Sequence, residues 1–157
     1  MPAEPQHAPS PLNLDEFLPY VLVKLATRMS RALGEVYGAR FDLTIPEWRI
    51  LATLGRTSPL TAGELSRRTM MGKPMVTRAV HRLLSAGRVT RLTDPQDRRS
   101  ATIDMTPTGR KLFAEVAKVA LDWERQLVAA SPADDYKALR RQLDRLDAQL
   151  GKVISAQ

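Results

Sequence analysis

The chain has 157 residues, of which 43% are hydrophobic and 26% are charged. This length predicts one compact domain, or one small domain with an oligomerisation arm, and the apolar content is sufficient for a folded core. There is no cysteine, which excludes disulfides, cysteine-ligated zinc or iron–sulfur sites and thiol redox chemistry.

The basic charge is concentrated in the middle third of the chain. Residues 56–111 hold 12 Lys and Arg against 4 Asp and Glu, whereas residues 1–55 carry a net charge of −1 and residues 112–157 a net charge of zero. A local excess of this kind is expected of a surface that binds a polyanion, and a solvated face without a partner is the alternative. The fold of this third has to decide between them.

The start of the chain is rich in proline and has no Lys or Arg before Lys24. This composition predicts a flexible tail over residues 1–12 and does not resemble a secretory signal. No stretch contains the roughly 18 uninterrupted apolar residues that a membrane span needs. We therefore expect a cytoplasmic protein with no membrane partner.

Two helices are predicted after the tail. Apolar residues recur at intervals of three and four from Leu14 to about Arg40, which predicts a long amphipathic helix. Thr44 and Glu47 have the spacing of a capping box, so a second helix is expected to begin there and to end near Gly55. The side chains that this second helix is expected to turn inward are Trp48, Ile50, Leu51 and Leu54.

The next segment predicts a helix-turn-helix. Thr61 and Glu64 repeat the capping box at the start of a short helix, and residues 70–72 form a turn. Another helix is expected to begin at Lys73 and to end at Gly87, a residue type favoured just after a helix. Two short helices joined by a tight turn are typical of this motif. The side chains expected to face the core from the second of them are Val76, Val80 and Leu83.

Two strands and two long helices complete the predicted order. Residues 88–93 and 101–105 have the pattern of short strands, and the turn between them carries Arg98 and Arg99. The hairpin therefore has a basic tip, as in a winged helix-turn-helix domain. Helices are expected after Thr106-Pro107 and after Ser131-Pro132.

The last helix has an apolar seam with coiled-coil spacing. A small winged domain cannot cover the apolar faces of both the first and the last helix, so we predict that these helices form a homodimer. The alternative is that the seam packs on helices of the same chain. The residues of the seam are Leu139, Leu143, Leu146, Leu150 and Val153.

No pattern of catalytic chemistry is found in the sequence. The only histidines are His7 and His81, too few for a histidine-based zinc site and badly placed for a catalytic triad. The glycines form no dinucleotide-binding or phosphate-binding loop. We therefore expect no enzyme activity, no metal and no cofactor.

The order of these segments resembles the MarR family of bacterial transcription regulators, over about residues 14–153. The most specific stretch is residues 94–100, Asp-Pro-Gln-Asp-Arg-Arg-Ser, followed by Met-Thr-Pro-Thr-Gly at 105–109. Residues 45–51 and 60–65 are similar to the family's second and third helices. The resemblance implies an obligate homodimer that binds a pseudopalindromic double-stranded DNA operator and releases it when a small molecule binds.

The resemblance also restricts the signal that the protein could sense. Within this family the peroxide-responsive members use a reactive cysteine and the zinc-responsive members use histidine-rich sites, and this sequence lacks both. A small organic effector remains. By the resemblance, such effectors are often phenolic or aromatic carboxylates. Aromatic candidate residues with a nearby cation would suit an aromatic carboxylate or an aromatic acyl thioester.

The second helix of the helix-turn-helix, predicted from Lys73 to Gly87, is the recognition helix. Its N-terminal part is expected to enter the major groove of DNA. Arg78 could bind guanine or only a phosphate, and the sequence leaves both open. Arg82 lies further along the helix and is expected to contact the DNA backbone. Thr61 is expected to cap its helix and to lie next to a phosphate. The full set of expected contacts on the two helices is Thr61, Lys73, Pro74, Met75, Thr77, Arg78 and Arg82.

In the wing, the family pattern makes Asp97 a support that braces an arginine. Arg99 matches the residue that enters the minor groove, and Arg98 is the alternative. The negative potential of a narrow minor groove would favour either arginine.

The effector site is implied by the resemblance to lie between the dimerisation helices and the winged domain. Aromatic and flexible side chains with a nearby cation would suit an aromatic acid. For Trp48 and Met29 plain core packing is the alternative. The candidates are Tyr20, Arg28, Met29, Tyr37, Trp48 and Arg49.

The predicted fold is mainly α with a small β-hairpin wing. A winged helix-turn-helix domain covers residues 43–106, and helical dimerisation regions cover residues 13–42 and 107–157. The function predicted is a ligand-responsive homodimeric regulator, most simply a repressor. The alternative is a winged-helix module that binds RNA or protein without a small-molecule ligand.

Overall fold

The computed structural model describes residues 12–93 and 101–155, and most of the predicted tail lies outside them. Within this part the protein is mainly helical with a small antiparallel sheet, which confirms the predicted fold class. The elements in chain order are α1 (Leu18–Phe41), α2 (Ile45–Arg56), β1 (Leu60–Thr61), α3 (Ala62–Thr69), α4 (Lys73–Ser85), β2 (Val89–Thr93), β3 (Ala101–Met105), α5 (Pro107–Val128) and α6 (Ala133–Ser155).

The chain forms two compact units, Met1–Phe113 and Ala114–Gln157. The first contains α1 to β3 and the beginning of α5, and its core is built from α2, α3, α4 and the sheet. The second contains the rest of α5 and all of α6. The apolar side chains that are at most 2% exposed in the first unit are Tyr37, Ile50, Leu51, Leu54, Leu60, Leu65, Val76, Leu83 and Ile103.

Both predicted capping boxes are present. The backbone N–H of Thr44 donates to Glu47 Oε2 at 2.8 Å, and that of Thr61 donates to Glu64 Oε2 at 2.8 Å. In each pair the threonine oxygen accepts the backbone N–H of the glutamate in return. These bonds satisfy donors that a helix start leaves without a partner, so α2 and α3 begin where the sequence predicts.

The turn between α3 and α4 also lies where it was predicted, and its left-handed residue is Met70. Met70 has φ of 56° in the left-handed region, whereas Gly72, the glycine of the turn, has φ of −62°. Met70 is 88% exposed. A left-handed conformation disfavours a residue with a Cβ, so this turn carries strain that a glycine at position 70 would remove.

The sheet has three strands in the order β1-β3-β2, all antiparallel. The predicted hairpin is confirmed, with Val89 opposite Met105 and Thr93 opposite Ala101. The third strand, β1, was not predicted, because two residues are too short for a visible alternation. Its Leu60 lies opposite Ile103 and ties the start of α3 to the wing.

Three local predictions need correction. The first helix begins at Leu18, not at Leu14, because residues 14–16 form a turn before Pro19 in the first helical turn. Trp48 is only half-buried, and the residue of α2 that is buried beside the apolar ones is Glu47. The last helix begins at Ala133, so Pro132 lies just before it and not in its first position.

The base of the wing is tied together around Arg88. Its guanidinium donates to the carbonyl oxygens of Phe41 at 3.1 Å and Asp42 at 2.8 Å, at the end of α1. Its own carbonyl oxygen accepts the N–H of Thr106 just before α5. A Cβ at Gly109 would lie 1.8 Å from this carbonyl oxygen. Only glycine therefore allows α5 to begin so close to the wing.

We expect Gly109→Ala to lower the free energy of unfolding by about 2–3 kcal/mol, because the methyl group would force the start of α5 away from Arg88. Gly151→Ala is the matched control, since its Cβ would meet nothing within 4 Å, and it should be stabilising by about 0.5–1 kcal/mol. Urea unfolding at one protein concentration measures both changes. Equal effects of the two substitutions would show that the contact at Gly109 is unimportant.

Candidate nucleic-acid interface

The helix α4 has one buried face and one exposed face. Val76, Ala79, Val80 and Leu83 are all at most 4% exposed, and the helix packs against α2 and α3. The predicted inward positions are thus confirmed. This packing leaves the opposite face of α4 in contact with solvent.

The residues predicted to meet DNA from α4 all lie outside the core. Met75 is 42% exposed, and the hydroxyl of Thr77 donates to the carbonyl oxygen of Lys73 at 3.0 Å. Because that hydroxyl is used inside the helix, the methyl group of Thr77 is the part available for an apolar contact such as a thymine methyl. The five exposed residues of the N-terminal half of α4 are Lys73, Pro74, Met75, Thr77 and Arg78.

The start of α4 is electrostatically suited to an anion. Gly72 provides no side-chain cap, the first turn holds no acidic residue, and Lys73 is the first helical residue. The positive end of the helix dipole is therefore reinforced by the charge of Lys73 and is not offset by a carboxylate in the first turn. A phosphate would find no local carboxylate to compete with it in this turn.

The start of α3 has the opposite property. Thr61 caps the helix as predicted. The Glu64 carboxylate accepts hydrogen bonds from the backbone N–H and from the hydroxyl of Thr61. The backbone bond from Thr61, and then the hydroxyl bond, hold the pKa of Glu64 below its usual range. Glu64 is therefore ionised at neutral pH, and its charge opposes a phosphate beside Thr61.

Arg82 has an internal partner. Its Nε–H donates to Glu47 Oε1 on α2 at 3.2 Å, while the rest of the guanidinium side chain is largely exposed. The sequence did not predict this pair, which joins residues 35 positions apart. The expected contact of Arg82 with DNA stays a prediction. A contact made through the Nε–H would require the bond to Glu47 to break.

The tip of the wing lies outside the described residues. The residues predicted to act there, Asp97, Arg98 and Arg99, all fall in the segment 94–100. The strands on either side are described, and Thr93 pairs with Ala101. Their roles stay predictions.

The six candidate effector residues do not form one group. Tyr37 is buried against Trp48, with ring centroids 5.8 Å apart, and Trp48 stacks on Phe113 at 5.9 Å. Burial raises the pKa of the Tyr37 hydroxyl, and the nearby Arg49 partly offsets this. Of the three rings only Tyr37 is fully buried, whereas Trp48 and Phe113 are half-buried. The part of Phe113 in this group was not predicted.

The other candidates lie along α1. Tyr20 and Arg28 line a cavity of about 220 Å³ together with Lys24, Val21 and Leu25. Asp15 also lines it and pairs with Lys24 at 3.4 Å. Met29 is exposed but does not line this cavity, and Arg49 donates to Ser30 Oγ at 3.3 Å.

No helix in the described part of the chain is both long and apolar enough to cross a membrane. No group of three or more histidine, aspartate or glutamate side chains within residues 12–93 and 101–155 is arranged to hold a metal ion.

Comparison with known proteins gives consistent results. A model of the MarR family matches residues 43–101. The chain is 27% identical over 132 residues to the HTH-type transcriptional regulator PecS of Dickeya dadantii, covering 82% of this chain and 79% of PecS. It is 30% identical over 101 residues to the transcriptional activatory protein BadR of Rhodopseudomonas palustris, covering 62% of this chain and 53% of BadR.

Solved structures have the same fold. A MarR family transcriptional regulator from Silicibacter pomeroyi DSS is 27% identical, with a TM-score of 0.73 over 92% of this chain and 95% of that chain. A MarR/EmrR family regulator from Acinetobacter sp. ADP1 is 22% identical, with a TM-score of 0.79 over 90% of this chain and 99% of the other. At that identity the second match is evidence of fold alone.

We expect Arg78→Ala to weaken binding to duplex DNA, because it removes an exposed cation from the face of α4 that would enter the groove. A lost base contact should cost about 1–3 kcal/mol on the preferred sequence only, whereas a lost phosphate contact should weaken all sequences and reduce the salt slope by about one. Fluorescence anisotropy on a preferred and a scrambled duplex separates the two. Arg141→Ala, which removes the same charge from α6, is the control, and an equal effect there would exclude a special role for Arg78.

Proposed function

Because the chain belongs to the MarR family of winged helix-turn-helix transcription regulators, we propose that it is a homodimeric repressor that binds a pseudopalindromic operator. It acts on DNA in the cytoplasm and is released by a small aromatic effector. The observation that carries the proposal is the exposed, basic start of α4, held by a buried apolar face on a domain of the family's fold. Each half-site of the operator would receive one such helix.

The dimer is supported by apolar surface that the single chain leaves uncovered. The helix α6 spans 23 residues and buries none of them. Its seam residues Leu139, Leu143 and Leu146 are 54%, 38% and 43% exposed. Burying a leucine side chain fully is worth about 1.5–3 kcal/mol, so a second copy that covers the seam would be strongly favoured.

The first helix supports the same conclusion. The apolar residues that α1 exposes in the single chain include Leu18, Val21, Leu22, Leu25, Met29 and Val36. A contiguous apolar surface of this kind is typical of an interaction site. We propose that α1 and α6 both contribute to the dimer.

An aromatic carboxylate is the effector class that the α1 cavity favours. Its volume of about 220 Å³ is below the range of about 300–1,000 Å³ typical of drug-sized ligands. Tyr20 and Leu25 offer apolar contacts, and Arg28 offers a cation for the carboxylate. An aromatic acyl thioester would need more room than this cavity provides in the single chain.

The dimer makes a prediction about the DNA. A duplex selected by the wild-type protein from a random pool should contain two half-sites with centres about 34–36 Å apart, or a multiple of that distance. Inserting five base pairs between the half-sites should reduce affinity at least tenfold, because it turns one half-site about half a helical turn away. The same insertion outside the site is the control. Equal affinity for both duplexes would show that there is no half-site requirement, as expected of a monomeric winged-helix module.

The seam can be tested without DNA. Leu143→Glu should convert the dimer into a monomer, measured as a halved mass by light scattering, because a charge in a buried seam is strongly unfavourable. The side chain is exposed in the single chain, so the substitution breaks no buried contact within one copy. Arg141→Ala on the same helix is the control and should stay dimeric.

The wing makes a separate prediction. Arg99→Ala should weaken operator binding by about 1–3 kcal/mol at fixed salt, because it removes a cation from the minor groove. Arg98→Ala in parallel identifies which of the two adjacent arginines acts there. If both variants bind like the wild type, the wing does not contact the operator.

A further inference from the structure

The Glu47 carboxylate has a partner for each of its two oxygen atoms. Oε2 accepts hydrogen bonds from the backbone N–H and from the hydroxyl of Thr44, which closes the capping box of α2. Oε1 accepts the Nε–H of Arg82 from α4. The side chain of Glu47 is only 2% exposed. One carboxylate therefore joins the start of α2 to the recognition helix.

The buried negative charge of Glu47 is compensated by Arg82. A carboxylate that is removed from water has to be paired with a cation and hydrogen-bonded, because an isolated buried charge is strongly unfavourable. The capping box supplies the hydrogen bonds but no charge. Arg82 is the cation that the structure places on Glu47, so moving its guanidinium to a phosphate would leave the carboxylate unpaired.

The bond between Glu47 and Arg82 also restricts rotation of α4 about its own axis, which apolar packing restricts only weakly. Burial of Val76, Ala79 and Leu83 holds α4 on the domain, but the hydrophobic effect has no direction. A hydrogen bond requires alignment of donor and acceptor. The bond joins a side chain of α4 to a side chain of α2, so a rotation of α4 about its own axis would lengthen or misalign it.

Rotation of α4 would move the residues that read DNA. Arg82 lies four residues after Arg78, hence on the same side of the helix one turn away. With side chains at a radius of about 6 Å from the axis, a rotation of about 10° shifts Arg78 by about 1 Å. Such a shift is as large as the range of distances over which a hydrogen bond is formed.

We propose that Arg82 is a positioning residue that acts through Glu47: the pair sets the rotation of the recognition helix and thereby the discrimination between operator and other DNA. Arg82 then makes no phosphate contact. The proposal rests on the proposed function, because it needs a protein that distinguishes one DNA sequence from another. It assigns to the Glu47–Arg82 pair a part in specificity and not in general affinity.

The test is a double-mutant cycle on DNA binding. The variants are Glu47→Gln, Arg82→Gln and the two combined. Glu47→Gln is chosen because glutamine also closes a capping box, so it removes the charge and keeps the start of α2. Each protein is titrated at four salt concentrations with a duplex selected by the wild type from a random pool and with a scrambled duplex.

We expect both single variants to lose about tenfold in the ratio of the two affinities, a size usual for coupled residues in one ion-pair network. The double variant should lose no more than either single variant. The slope of affinity against salt should stay at the wild-type value, because no cation that neutralises a phosphate has been removed. Arg78→Ala serves as the comparison for a residue on the exposed face.

A phosphate contact by Arg82 predicts a different pattern. Arg82→Gln would then weaken binding to both duplexes alike and reduce the salt slope by about one, while Glu47→Gln would bind like the wild type. That result would overturn the proposal. If the wild type itself does not distinguish the duplexes, the proposed function fails instead, so the two failures are separable.

Loss of folding would be recognised independently. Thermal melts followed by circular dichroism give the temperature range in which all four proteins are folded, and the titrations are made within it. Should Arg82→Gln not fold, Arg82→Lys replaces it, since lysine keeps the charge but lacks the Nε–H donor that meets Glu47. Retained discrimination in both Arg82→Lys and Glu47→Gln would then contradict the proposal.

Discussion

The burial of one carboxylate constrains the winged domain more than any other single interaction. Glu47 is the charged residue that is buried within residues 12–93 and 101–155, and it sits where α2 begins and where α2 packs against α4. Its oxygen atoms must be satisfied by Thr44 on one side and by Arg82 on the other. The start of one helix and the orientation of the next are therefore set together. The direction in which the exposed face of α4 points therefore depends on the buried carboxylate of Glu47.

A second constraint lies at the base of the wing. Arg88 binds the last carbonyl groups of α1, while its own carbonyl oxygen accepts the N–H of Thr106 and lies against Gly109. The helix that exposes apolar surface is thus connected by hydrogen bonds to the strand that leads into the basic tip. A change in α1, whether from a second copy or from a ligand in its cavity, has a direct structural connection to the wing. Energetic coupling between two such sites requires a contiguous physical connection of this kind or a shared equilibrium.

The sequence predicts local structure well and distant pairing poorly. The capping boxes at Thr44 and Thr61 and the alternation in β3 depend on neighbours in sequence, and the structure confirms all of them. The pair formed by Glu47 and Arg82 was missed because nothing within either helix marks it, and Glu47 already had a role as a cap. The aromatic contact of Trp48 with Phe113 was missed for the same reason. The wing arginines stay predictions, since they lie outside the described residues.

Recognition of a particular DNA sequence is measured by the ratio of the affinities for specific and for scrambled DNA. Fluorescence anisotropy should compare the intergenic DNA upstream of its own gene, and a duplex selected from a random pool, with scrambled fragments at two salt concentrations. We predict at least about 10³-fold tighter binding to a specific duplex, with two chains bound per duplex. Equal and steeply salt-dependent binding to every fragment would contradict it, because a basic surface alone produces that result.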